Sequence, residues 1–272
     1  MQGLKDFIPT DVKIRYINKL LEVGFDTLDF GSFVSPKVIP QMKDTAEVVV
    51  SLDLRNTRSK LLAIVANERG AEDACRFPQI KFLGFPLSVS ETFQIRNTNK
   101  SIKDAFTEVG KINELCSKNN KDLVIYISMG FGNPYGDPYD ENIIAEFIDR
   151  LRDTGIKIIS LSDTIGVSQP AQISGLFSSL TQKDSSIEIG VHLHSTPGKT
   201  LEKIEAAFTS GCKRFDGAIR GFGGCPMAKD DLVGNMATEK IINFLEENGV
   251  STGLDMKKFE EAFLMSSSVF LH

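Results

Sequence analysis

Short runs rich in β-branched and aromatic residues alternate along the chain with longer stretches whose apolar residues recur every three or four positions. The runs are TLDFGSF (27–33), KLLAIVA (60–66), IKFLGFPLSV (80–89), LVIYISMGF (123–131), IKIISLSDTIG (156–166), IEIGVHLH (187–194) and KRFDGAIRGF (213–222). Each predicts a strand. Between them, VKIRYINKLLEVG sets Ile14, Ile17, Leu20 and Leu21 at helical intervals, and KTLEKIEAAFTSG has the same period. Gly24 and Gly211 stand where helix C-caps belong. Asp140 and Gln169-Pro170 mark helix starts. Ser35-Pro36 is predicted to cap and open a further helix, with Lys37 near its N-terminus.

Strands alternating with helices mean βα units and a parallel sheet. No Pro/Ser-rich linker and no shift in composition divides the chain, so residues 1–272 are expected to form one domain. Seven strands are readable, where a closed (β/α)₈ barrel has eight. A doubly wound sheet tolerates seven, but no GxGxxG follows the first strand. The polar residues decide between them. They gather at the C-terminal ends of successive strands: Asp29 and Ser32, Ser88 and Ser90, Asn133 and Tyr135, Asp163 and Thr164, His192 and His194, then Arg220. Barrel enzymes build their sites on that face. The expected class is therefore an α/β TIM barrel, one strand short.

Hydrophobic residues at 41% and charged residues at 25% supply a core and a solvated surface. A net charge of -5 argues against nucleic acid or an anionic membrane as partner. No apolar run is long enough to span a bilayer, and the N-terminus lacks a signal-peptide core. Cys75, Cys116, Cys212 and Cys225 are scattered without a CxxC pair, which predicts reduced thiols and a cytoplasmic location rather than disulfides or a structural zinc.

The chain has three histidines, and two of them stand one residue apart in VHLHSTPG. On a strand, positions i and i+2 share a face. His192 and His194 then point into the barrel with Glu188 and Gly190, while Ile189, Val191 and Leu193 pack on helices. Two adjacent imidazoles can reach one ion. The competing reading, a hydrogen-bonded pair of core histidines, needs partners for four ring nitrogens. Asn235 in GNMATE offers an amide oxygen, and a carboxylate is the natural further ligand. Imidazole and oxygen donors without a nearby thiolate favour Mg²⁺ or Mn²⁺, with zinc still compatible.

GFGGCPMAKDDLVGN (221–235) places Cys225 in a glycine-rich loop after the last strand. It is an acid, base or nucleophile candidate there, or a small buried apolar residue. Asp163 in SLSDTIG orients a ligand hydroxyl or acts in proton transfer, or else makes an N-cap or Asx-turn for the following loop. Both pairs of readings stay open on local chemistry.

TLDFGSFVSPKVIPQMKDTAEV, SLSDTIGV, VHLHSTPG and GFGGCPMAKDDLVGNMATE, in this order and over most of the chain, resemble the 3-hydroxy-3-methylglutaryl-CoA lyase family. SFVSP with IPQM, and GGCP with GN-ATE, are the specific motifs; HxH and DTIG are shared across a wider superfamily of metal-dependent lyases and Claisen-condensing enzymes. The resemblance implies a TIM barrel that cleaves hydroxymethylglutaryl-CoA to acetyl-CoA and acetoacetate, the chemistry of leucine degradation and ketone-body metabolism. It implies a divalent metal, Mg²⁺ or Mn²⁺, on His192, His194 and Asn235. It implies catalytic roles for Cys225, Asp163 and Asp29, and substrate contacts from Gln2, Ser32, Gly223 and Gly224. The implied partner is an acyl-CoA thioester, with no nucleic acid and no membrane, and a homodimer is compatible with it. A sister condensing or aldolase activity on another hydroxy acid, and a non-catalytic acyl-CoA-binding barrel, are the alternatives.

Three departures from the family pattern stand out. Asn133 replaces a cysteine, Asp29 replaces a glutamate, and Met1-Gln2 align with the end of an Arg-Asp-Gly-x-Gln motif. The Arg and Asp of that motif, with the barrel's first strand, are therefore expected upstream of Met1. The chain as it stands is expected to have little activity and poor solubility until that segment is restored. The C-terminal MSSSVFLH is read as an incomplete or atypical tail.

Overall fold

A computed structural model describes residues 1, 4, 6–181, 186–223 and 233–270. In chain order the first elements are α1 (Thr10–Val23), β1 (Thr27–Ser32), α2 (Thr45–Ser51), β2 (Lys60–Ile64), α3 (Glu68–Cys75) and β3 (Ile80–Ser88). They continue with α4 (Glu91–Thr98), α5 (Ile102–Lys118), β4 (Asp122–Ser128), α6 (Glu141–Asp153), β5 (Ile158–Asp163) and α7 (Pro170–Thr181). The last are β6 (Glu188–Ser195), α8 (Thr200–Thr209), β7 (Gly234–Asn235), α9 (Thr238–Glu247) and α10 (Met256–Phe270). The chain divides into two compact units. One comprises Met1–Gly84, Glu114–Asp122 and Ser251–His272; the other comprises Phe85–Asn113 and Leu123–Val250.

In the first unit β1 pairs in parallel with β2, and β2 with β3. Leu61, Leu62 and Ala63 are fully buried, the continuous apolar run of a strand covered on both faces. α1 buries Tyr16, Ile17, Leu20, Leu21 and Val23 and ends at Gly24 in the left-handed conformation (φ 83°, ψ 37°), as its sequence predicts. The C-terminal residues are more than a tail: α10 packs on α1, with the Tyr16 and Phe270 rings edge-to-face at 5.4 Å. The predicted helix at Pro36 is not formed. Ser35 instead closes a turn, its carbonyl accepting from the Val38 and Ile39 amides, and the next α-helix begins at Thr45.

In the second unit β4, β5 and β6 are parallel, with Val124 opposite Ile158 and Ser162 opposite His192. α6 starts at Asp140, whose carboxylate accepts from the Asn142 and Ile143 amides. The segment 213–222 departs from expectation. It forms no ladder, because its backbone hydrogen bonds are split between two neighbours. Val191 and Phe215 make one parallel bridge, and Ala218 and Ala237 make another. Gly217 lies between them, where a Cβ would meet Ile241 Cδ1 at 2.8 Å and the Met236 carbonyl at 3.0 Å. The strand beside the end of β6 is the short antiparallel β7, which sets Asn235 opposite His194.

Candidate active site

The histidines share one face of β6, as the alternation predicts: their ring centroids lie 5.4 Å apart. What the surroundings add is the orientation of each ring. His194 is 4% exposed, and its Nδ1 lies 3.0 Å from the Thr164 carbonyl. A carbonyl only accepts, so Nδ1 carries the proton and Nε2 keeps its lone pair. Burial, then the neighbouring His192, pushes the His194 pKa down to about 4, so the ring is neutral at pH 7. His192 packs edge-on to Tyr126, and its buried Nδ1, without a hydrogen bond, faces Asp216 Oδ2 at 3.5 Å. Asp216 is held in turn by Ser160 Oγ, which donates to Oδ2 at 3.0 Å. Rings whose Nδ1 faces a carbonyl or carboxylate are oriented as metal-ligating histidines are.

Asn235 donates its Nδ2 to the Phe222 carbonyl at 2.8 Å, which leaves its amide oxygen as the acceptor beside His194. Gly223 makes this approach possible: at φ 91° a Cβ would stand 2.9 Å from Asn235 Nδ2. Two imidazole nitrogens and an amide oxygen fit a hard or borderline divalent ion that keeps open positions. Among the described residues no group of three or more His, Cys, Asp and Glu side chains gathers at metal-binding distance.

Asp163 ends β5 and is 1% exposed. Its Oδ1 accepts from the Val167 amide at 2.8 Å. Its Oδ2 accepts from the Ser168 amide at 3.0 Å, Ser168 Oγ at 2.6 Å and Lys203 Nζ at 2.8 Å. The carboxylate therefore organises the turn that carries Thr164.

The remaining candidates are placed as follows. In the first unit Asp29 is exposed at the third position of β1, beside a register shift, rather than at the strand end. Ser32 is buried at that end, where its Oγ accepts from the Val34 amide at 3.1 Å and its own amide donates to Thr45 Oγ1. Gln2, Gly224 and Cys225 lie outside the described residues. Sequence reasoning missed Asp216 and Lys203. Lys203 carried a signal, since it shares the buried stripe of α8 with Thr200, Ile204 and Ala207 at helical spacing.

The profile of the HMGL-like family matches residues 1–264. The chain is 33% identical over 262 residues to the hydroxymethylglutaryl-CoA lyase YngG of Bacillus subtilis, covering 96% of this chain and 87% of the relative. It is 32% identical to the mitochondrial hydroxymethylglutaryl-CoA lyase of Homo sapiens, covering 96% and 80%. It superposes with a TM-score of 0.92 on a solved HMG-CoA lyase of Acinetobacter baumannii in complex with coenzyme A and 3-methylmalate. That likeness spans all of this chain and 88% of the other, at 30% identity. The fold is accordingly the α/β TIM barrel expected from the strand pattern. With a profile spanning nearly the whole sequence and relatives a third identical along it, the chain belongs to the HMGL-like family.

Proposed function

We propose that the chain is a carbon–carbon lyase that cleaves 3-hydroxy-3-methylglutaryl-CoA to acetyl-CoA and acetoacetate. The relatives named above are all lyases, so the condensing and non-catalytic alternatives are not carried further. The observation that carries the site is the orientation of His192 and His194, each with Nδ1 turned to an oxygen, with the Asn235 side chain beside His194.

In the reaction a base takes the proton of the tertiary hydroxyl. The O–H electron pair becomes the ketone C=O of acetoacetate. The C–C pair passes to the carbon next to the thioester, and protonation there completes acetyl-CoA. A divalent ion, Mg²⁺ or Mn²⁺, held by His192, His194 and Asn235 would supply Lewis acidity at the hydroxyl and carboxylate oxygens. The residues do the rest. His194 stays neutral, and both rings are held in place. Asp163, by the family resemblance, is the acidic residue near the substrate hydroxyl. Cys225 delivers the proton to the thioester carbon. Asp29 is a catalytic residue where the family has glutamate, and Gln2, Ser32, Gly223 and Gly224 contact the substrate; these roles and that of Cys225 rest on the family resemblance. An acyl-CoA partner is supported by the coenzyme A in the Acinetobacter baumannii complex. The reading extends to one catalytic domain over 1–272, a homodimer and a cytoplasmic location. Among the described residues no helix is long and apolar enough to cross a membrane.

The test is acetoacetate release from hydroxymethylglutaryl-CoA with Mg²⁺ or Mn²⁺. In a complete enzyme His194→Ala and Cys225→Ser should each lower turnover by orders of magnitude. Only His194→Ala should also abolish Mn²⁺ binding, because the thiol acts on the substrate. Parent-like turnover in His194→Ala would remove the histidine site from the reaction.

A further inference from the structure

Lys203 is a cation in the second unit that the reaction above does not use. It lies on α8 and is 1% exposed, where an ammonium is costly unless all three N–H groups find acceptors. All three do. Nζ donates to Asp163 Oδ2 at 2.8 Å, to the His194 carbonyl at 2.9 Å and to the Gly166 carbonyl at 3.2 Å.

The three acceptors have a common centre. Asp163 and Gly166 flank Thr164, whose carbonyl faces His194 Nδ1, and the third acceptor is the backbone of His194 itself. One ammonium therefore grips both the turn that carries the acceptor and the strand that carries the ring. The far side of Thr164 is also held, since its Oγ1 accepts from the Met129 amide at 2.9 Å. A counter-ion for Asp163 needs one of these contacts. The two carbonyl contacts are superfluous to neutralisation, but they fix the distance between Thr164 and His194.

We propose that Lys203 is a positioning residue: it holds the Thr164 carbonyl against His194 Nδ1, and so fixes the ring tautomer that presents Nε2 as a ligand. The tautomer is a property of the metal-free chain; its use as a ligand rests on the function proposed above.

The experiment is a long-range ¹H–¹⁵N correlation of ¹⁵N-histidine-labelled, metal-free protein at pH 7.5, paired with Mn²⁺ binding followed by electron paramagnetic resonance. Three histidines make the spectrum assignable. In the parent, His194 should be protonated on Nδ1. In Lys203→Met it should become a mixture of tautomers, and Mn²⁺ affinity should fall about 10- to 100-fold, the usual effect of losing a group that orients a ligand. Asp163→Asn keeps both carbonyl contacts and should keep the parent tautomer. Lys203→Met with Asp163→Asn carries no unpaired buried charge, so it folds if Lys203→Met alone does not. It should retain the mixed tautomer and the weak affinity. The proposal is overturned if the double variant recovers the parent tautomer and affinity, if Lys203→Met never loses them, or if Asp163→Asn alone shifts the ring as far. A parent that binds no Mn²⁺ refutes the ligand reading instead, and the tautomer spectra then decide the role of Lys203 alone.

Discussion

Each unit contains a buried lysine–aspartate pair, and the two are built differently. In the first unit Lys13 and Asp44, 2% and 7% exposed, meet at 2.6 Å. Lys13 also donates to the Gln41 carbonyl and lies under the Phe7 ring, 4.0 Å from its centroid. Asp44 has less: it precedes α2 without capping it, and among the described residues its Oδ2 has no partner. In the second unit Lys203 and Asp163, both 1% exposed, meet at 2.8 Å. There the carboxylate accepts three further hydrogen bonds and the ammonium donates two. The first is a couple in which the carboxylate depends on one cation. The second is a junction in which either member is one support among several. Similar burial and distance therefore do not imply similar energetics, because what matters is what remains satisfied when one charge is removed.

The largest expected stability effect falls in the unit without His192 and His194. Lys13→Met leaves Asp44 as a buried carboxylate with no described partner, which should cost about 3–5 kcal/mol. Lys203→Met leaves Asp163 three donors and orphans two carbonyl contacts, so about 1–3 kcal/mol is expected. Urea denaturation of both variants at pH 7 decides, and a greater loss for Lys203→Met would end the distinction.

Next in size is Asp216→Asn. It removes the carboxylate facing His192 Nδ1 and should weaken Mn²⁺ binding about 10- to 100-fold while shifting the midpoint of unfolding little. A large loss of stability with unchanged Mn²⁺ affinity would make Asp216 part of the scaffold.

The smallest effect compares the units at high pH. Burial, its first cause, pushes the Cys116 thiol in the first unit and the Cys212 thiol in the second from an ordinary 9.0 up to about 12. The folded chain then holds these protons more tightly than the unfolded chain. The stability this contributes is complete below about pH 9 and is lost as the pH rises towards about 12. Neither thiol should react with a disulfide reagent at pH 8 until the protein unfolds. Rapid labelling of Cys116 or Cys212 in the native protein would contradict the burial.

Six of the seven readable strands and the helices at 10–23 and 200–209 were legible because their signals are local: alternation, 3.6-residue spacing and caps. Legible for the same reason was the shared face of His192 and His194, since a strand's two-residue period alone puts them together. KRFDGAIRGF has strand composition as well, but a ladder needs one partner along its length, and the fold gives this segment two in succession. Ser35-Pro36 has the residues of a helix start and closes a turn instead. Asp163 kept two roles open in sequence because its neighbours Ser168 and Lys203 are brought to it by a turn and by a helix 40 positions away. The residue types of the proposed metal site were therefore written in the sequence. Which nitrogen of His194 carries the proton was settled only by the Thr164 carbonyl, because a tautomer is set by a partner, and partners are supplied by tertiary structure.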